Sequence, residues 1–207
     1  MCTLRQGDVS ASRKREERNR IAPNEIQIIA LSDLLDNKEA TEEKIVLFLS
    51  SFSCRDADVE HFLHKTAILY EKSKKARTYL LTKTEPMPCI FGYFSLALTC
   101  VEIEKLDSLS KSQRKRLNGL FDPRNAIPCY LIGQLGRNSV IDRITLPGES
   151  ILEQAIGVIK IAQERVAGRF VLVECAPEPK LIDFYKRNGF HLLSQDDYLC
   201  QLYRIID

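Results

Sequence analysis

The segment from residue 126 to residue 190 constrains the fold most. In "GESILEQAIGVIKIAQERVAG", residues 148–168, Ile151, Leu152, Ala155, Ile156, Ile159, Ala162 and Val166 recur at helical spacing and form one apolar stripe. Gly168 follows its last turn, where a helix commonly stops. The run "AIPCYLIGQLG" precedes this helix and "RFVLVECAP" follows it. Both are apolar in the manner of buried strands. Two strands joined through a full helix pair in parallel by a right-handed crossover. A second helix, "EPKLIDFYKRNGF", ends at Gly189 and leads into "FHLLS" and "YLCQLYRII", which alternate like strands.

The first half reads differently. "NEIQIIALSDLL" starts with a strand, through the alternation of Ile26, Ile28 and Ala30, followed by a polar connection. "EEKIVLFLSSF" leans to helix. "DADVEHFLHKTAILYEKSKK" predicts a continuous helix through Val59, Phe62, Leu63, Ala67 and Tyr70, with Asp56 or Asp58 as N-cap and lysines at its far end. "RTYLLTK" and "CIFGYFSLALTCVEI" flank "TEPMP", whose prolines suit a turn, so a β-hairpin follows. "SKSQRKRLNG" predicts a short basic helix closed by Gly119. The expected architecture is a mixed, mostly antiparallel central sheet flanked by helices, an α+β arrangement in three layers with one parallel strand pair. Residues 25–207 make the domain, and residues 1–24 a flexible, mildly basic tail.

Composition narrows the function classes. A chain of 207 residues with 44% hydrophobic and 28% charged residues is a globular domain with a sizeable core. It has no apolar run of the roughly 18 to 20 residues that span a bilayer and no leader-like start, so a cytoplasmic protein without membrane contact is expected. The seven cysteines are scattered without a CxxC pair and read as reduced core residues. His61 and His64 beside Phe62 and Leu63 do not suggest a ligand set, and no metal is expected. The net charge of +2 does not by itself call for a polyanion. Two local clusters, Lys72, Lys74, Lys75, Arg77 and Lys111, Arg114, Lys115, Arg116, would suit nucleic-acid phosphates, although such runs commonly are solvated helix faces.

In order and spacing, "FGYFSLAL", "YLIGQLG", the loop before "SILEQAIGVIKIAQ", "VLVECAP" and "LIDFYKRNGF" resemble the GNAT superfamily of N-acetyltransferases over residues 52–203. "FSCRDADVEHFLHKTA" and "GYFSLAL" are more similar to the branch that contains bacterial acetyltransferase toxins, whose known substrates are charged tRNAs. The resemblance implies a GNAT-like fold with a splayed parallel strand pair at a cofactor groove. It also implies transfer of acetyl from acetyl-CoA to a primary amine by direct attack in a ternary complex. The acceptor it suggests is aminoacyl-tRNA. A small-molecule or protein N-acetyltransferase, or a non-catalytic GNAT-fold binding protein, is the alternative. A homodimer is compatible with this reading, as is an antitoxin partner.

Site residues follow from the resemblance position by position. The family's phosphate loop, R/Q-x-x-G-x-G/A, falls on Arg143, Ile144, Thr145, Leu146, Pro147 and Gly148. Glycine there lets backbone approach phosphate oxygens, and the helix start adds about half a positive charge. Leu146 replaces the first glycine and is costly at positive φ, while Pro147 lacks an amide donor. Glu149 and Glu153 complement the helix dipole but would repel a phosphate close by. The amides of Gly148, Glu149 and Ser150 are the expected cradle, and Leu135, Gly136 and Arg137 the strand end that holds pantetheine and polarises the acetyl carbonyl. Tyr185 is implied as the acid that protonates the departing sulfur. A phenol with a reference pKa of about 10 is protonated at neutral pH; by spacing alone Tyr185 is a core aromatic. Glu174 and Glu102 are the carboxylates from which a base could act, and neither is assigned.

Overall fold

The computed structural model describes residues 26–83, 88–118 and 126–206. The tail expected over 1–24, residues 84–87 of the hairpin turn and Gly119 lie outside these. A seven-stranded sheet runs in the order β1-β2-β3-β4-β5-β7-β6, where β1 is Gln27–Ala30, β2 Arg77–Lys83, β3 Cys89–Glu102, β4 Ala126–Arg137, β5 Phe170–Cys175, β6 His191–Gln195 and β7 Cys200–Ile205. β4 and β5 are parallel and every other neighbouring pair is antiparallel. The mixed sheet is therefore as the crossover rule requires.

The crossover helix, α6 (Gly148–Val166), buries Ile151, Leu152, Ala155, Ile156 and Ile159 on one face of the sheet against Phe94, Tyr130, Ile132, Val171 and Val173. The expected stripe fades towards its end, where Val166 is 70% exposed. α7 (Pro179–Arg187) lies on the same face and closes through Gly189, whose φ of 80° needs no Cβ, with the Phe190 amide bonded back to the Tyr185 carbonyl.

The opposite face carries two clusters. One gathers α1 (Leu31–Asp36), α2 (Glu42–Leu49) and the segment 57–72 over β2 and β3. The other packs Leu106 of a 3-10 turn (Ile103–Ser108), Leu109 just after it and Leu117 of α5 (Lys111–Asn118) over β4, β5 and β7. α1 replaces the polar connection expected after the first strand, because Leu31, Leu34 and Leu35 lie at helical spacing on that core. The segment expected as one helix is α3 (Ala57–His61), a π-helical turn (Phe62–Thr66) and α4 (Ala67–Lys72). Asp56 is its N-cap, accepting from the amides of Asp58 at 3.0 Å and Val59 at 3.2 Å.

Candidate active site

β4 and β5 form a fork. They pair only at Tyr130–Val171, Leu131–Leu172 and Ile132–Val173. Beyond that point β4 stays with β3 through Arg137, while Glu174 and Cys175 follow β7. The divergence begins at a bulge: Ser95 pairs with Gln134 and Leu96 with Ile132, so Gly133 has no partner on β3. An extra residue in one strand kinks it and turns it away from its neighbour. The sequence reading did not single out Gly133, since a glycine inside an apolar run was its one local sign.

The residues expected at the end of β4 are divided by the strand's alternation. Leu135 packs on the α6 side. Gly136 is buried on the other side, where an added Cβ would sit 2.6 Å from Val59 Cγ1 and 3.2 Å from the Tyr93 ring. A side chain cannot fit there without moving α3. The Arg137 guanidinium donates to the Ile141 carbonyl and ties the strand end to the loop that enters α6. Asn138, 1% exposed, holds the same loop through Nδ2 to the Ile90 carbonyl at 2.8 Å, and its amide reaches the Phe91 carbonyl at 2.8 Å. Asn138 was not foreseen, because its partners come from β3.

At the start of α6 the loop takes a path different from the glycine-rich one. Among the described residues the non-glycine positive-φ positions are Lys74 and Ala167, so Leu146 escapes the expected strain. Leu146 is instead a core residue, 3% exposed, its amide donating to the Asp142 carbonyl at 3.1 Å. Pro147 is the N-cap and supplies no side-chain bond. Ser150 donates its amide to the Pro147 carbonyl at 3.1 Å, which leaves the amides of Gly148 and Glu149 without an acceptor among the described residues. Glu153 is drawn aside by Arg204 at 2.8 Å, while Glu149 is exposed. Partial burial and the neighbouring Arg143 and Arg55 guanidiniums lower the Arg137 pKa, with Asp142 opposing them. The Arg137, Arg143 and Arg55 guanidiniums thus lie near enough to repel one another beside the loop that leads into α6, and such a cluster of cations suits a phosphate group.

Tyr185 lies in the core on the α6 side, 8% exposed, its ring edge-on to Phe184 (centroids 5.1 Å apart) and Phe190 (5.4 Å). Phe184 in turn packs on the start of α6: a Cβ at Gly148 would meet its ring at 3.3 Å. Phe184 therefore ties α7 to the first turn of α6. Burial, and then the Cys175 thiol at the end of β5, raise the Tyr185 phenol pKa. Burial pushes Cys175 itself up to about 12, with Cys200 adding to the shift. Both groups hold their protons at neutral pH.

The remaining expected features sort by distance from the fork. Glu102 pairs with Ala126 at the far end of β4, and Glu174 stands at the fork. Of the first basic cluster, Lys72 pairs with Glu42, Arg77 with Glu71, and Lys75 lies over the Tyr70 ring. Lys74, Lys75 and Arg77 rim a cavity of about 730 Å³ with Leu98, Val158 and Val166, at the opposite end of α6 from the fork. Among the described residues no His, Cys, Asp and Glu group could hold a metal, and no helix is long and apolar enough to cross a membrane. His64 bonds the Phe52 carbonyl at 2.8 Å. Of the cysteines expected in the core, Cys129 and Cys200 are buried, but Cys100 is exposed and Cys54, Cys89 and Cys175 lie between: Cys89, Cys100 and Cys175 sit towards strand ends and Cys54 in the loop before α3.

Solved structures with this arrangement exist. The chain superposes on AtaT complexed with acetyl-methionyl-tRNAfMet with a TM-score of 0.66 and 25% identity, covering 87% of this chain and 94% of that one. This chain has the GNAT fold. A tyrosine-to-phenylalanine mutant of KacT gives a TM-score of 0.68 at 21% identity over 87% of this chain and 95% of that one. AtaTR bound with AcCoA gives 0.64 at 23% identity over 88% and 94%. No protein-family model matches the chain, and no curated protein matches it.

Proposed function

We propose that the chain is an acetyl-CoA-dependent N-acetyltransferase acting on the primary amine of an aminoacyl-tRNA. The observation that carries the reading is the β4–β5 fork, on the side of the sheet where the first turn of α6 packs against Phe184, the ring neighbour of Tyr185. Acetyl-CoA supplies an activated acetyl thioester. Arg137, Arg143 and the Gly148 and Glu149 amides would hold its phosphates, with Ser150 extending the helix start. Backbone groups at Leu135 and Gly136, freed from pairing with β5, would orient the pantetheine arm and the acetyl oxygen. Tyr185, its proton retained by burial, donates to the sulfur that leaves. No covalent nucleophile is required, since the amine attacks directly.

The choice of acceptor rests on charge placement and on AtaT, solved with acetyl-methionyl-tRNAfMet. α5 exposes Lys111, Lys115 and Arg116, and it packs on the face of the sheet opposite Tyr185. Phosphates would meet these cations in a salt-sensitive way. The test is incubation with labelled acetyl-CoA and, separately, aminoacylated tRNA, total protein and polyamines. Label in the aminoacyl-tRNA fraction is expected. Label in protein or polyamine alone overturns the acceptor, and label in none overturns the activity.

A further inference from the structure

We infer that Glu174 is the carboxylate that receives the acceptor's ammonium group, held in place by Gln201 and Ser194. The inference rests on the acetyltransferase reading and assigns the acceptor side of the same site. Along β5, Val171 and Val173 face α6, and Phe170 and Leu172 face the opposite core. Strand alternation puts Glu174 on that opposite face, away from Tyr185. It is the first residue after the last β4–β5 pair, so its carboxylate stands where the fork opens.

The carboxylate is held on one side only. Gln201, directly across on β7 and 6% exposed, donates Nε2 to Glu174 Oε1 at 2.6 Å. The Ser194 hydroxyl donates to Gln201 Oε1 at 2.8 Å and fixes which way the amide points. A bulge in β6 between Leu192 and Ser194 brings that hydroxyl into reach. Glu174 itself is exposed and has no cationic partner among the described residues. A buried amide thus orients an open, unpaired carboxylate, which is what capture of an ammonium needs. α5, with Lys111, Lys115 and Arg116, packs over Tyr203, two residues along β7 from Gln201. The same face therefore offers one anion for an amine and several cations for phosphates.

The proton count closes. The acceptor ammonium loses one proton to Glu174 and becomes a free amine, whose lone pair forms the C–N bond to the thioester carbon as the C–S bond breaks. The Tyr185 phenol protonates the sulfur. A second proton leaves the nitrogen as the amide forms and restores the phenol, and Glu174 returns its proton to solvent.

Glu174→Gln tests the inference, because the amide oxygen still accepts from Gln201 while the charge is removed. With an aminoacylated tRNA pool as acceptor and coenzyme A release as readout, kcat/KM for the acceptor should fall about tenfold to a hundredfold. The affinity for acetyl-CoA and the Tm should stay at wild-type values, and Glu174→Asp should recover part of the loss. An unchanged kcat/KM in a wild type that transfers acetyl overturns the inference alone, as does a parallel loss of cofactor affinity or Tm. No transfer by the wild type overturns the activity as well.

Discussion

The two faces of the β4–β5 fork differ in what they offer a reactant. On the α6 and α7 side, Tyr185 is packed among Phe184, Phe190 and the helix stripe, and its pKa is raised by burial. On the other side Glu174 is open to solvent and oriented by a buried amide, beside a basic helix. Burial favours a neutral acid that keeps its proton, and exposure favours a charged group that meets an incoming ion. The two reactants can therefore approach from opposite faces and meet at the gap where the strands part.

Substitutions on each face sharpen the contrast. Tyr185→Phe removes only the proton donor and should lower turnover on the order of 10²-fold, about 3 kcal/mol, without loss of fold. Steady-state kinetics with circular dichroism checks both parts. The buried phenol also gives a pH signature. Its folded pKa is raised, so its contribution to stability is complete below the ordinary tyrosine value of about 10 and is lost as pH rises above it. Tyr185→Phe should flatten part of that alkaline loss in thermal melts. Gly136→Ala forces a methyl to 2.6 Å from Val59 and should cost about 2 kcal/mol of stability, seen as a lowered Tm. Arg137→Ala removes the tie to Ile141 and one of three clustered charges, and should weaken acetyl-CoA about tenfold, or ~1.4 kcal/mol, by titration calorimetry. Val166→Thr, on the rim of the cavity at the far end of α6, should change the folding free energy by less than about 0.5 kcal/mol, with Tm and steady-state kinetics close to wild type.

The crossover unit was legible because its apolar stripe and flanking runs have no other good solution: the helix at 148–166, the parallel pair and the helix bearing Tyr185 follow from periodicity. What escaped depends on register or on distant partners. The π-helical turn at Phe62–Thr66 leaves the spacing of Val59, Phe62, Leu63 and Ala67 looking regular. The bulge at Gly133 exists only relative to Ser95 and Leu96 on β3, and the orientation of Glu174 only relative to Gln201 and Ser194. Leu146 was weighed by the conformation a glycine would adopt in its place. Packing answered instead: the loop is anchored by Asn138 and Arg137, and the leucine is turned into the core beside Ile151.

The central claim, that the fork binds acetyl-CoA and that Tyr185 acts after binding, is met most directly by calorimetric titration of acetyl-CoA into wild type and Tyr185→Phe. Saturable heat of equal affinity is expected in both proteins, with turnover lowered on the order of 10²-fold in the variant alone. No heat at millimolar acetyl-CoA in the wild type would contradict it.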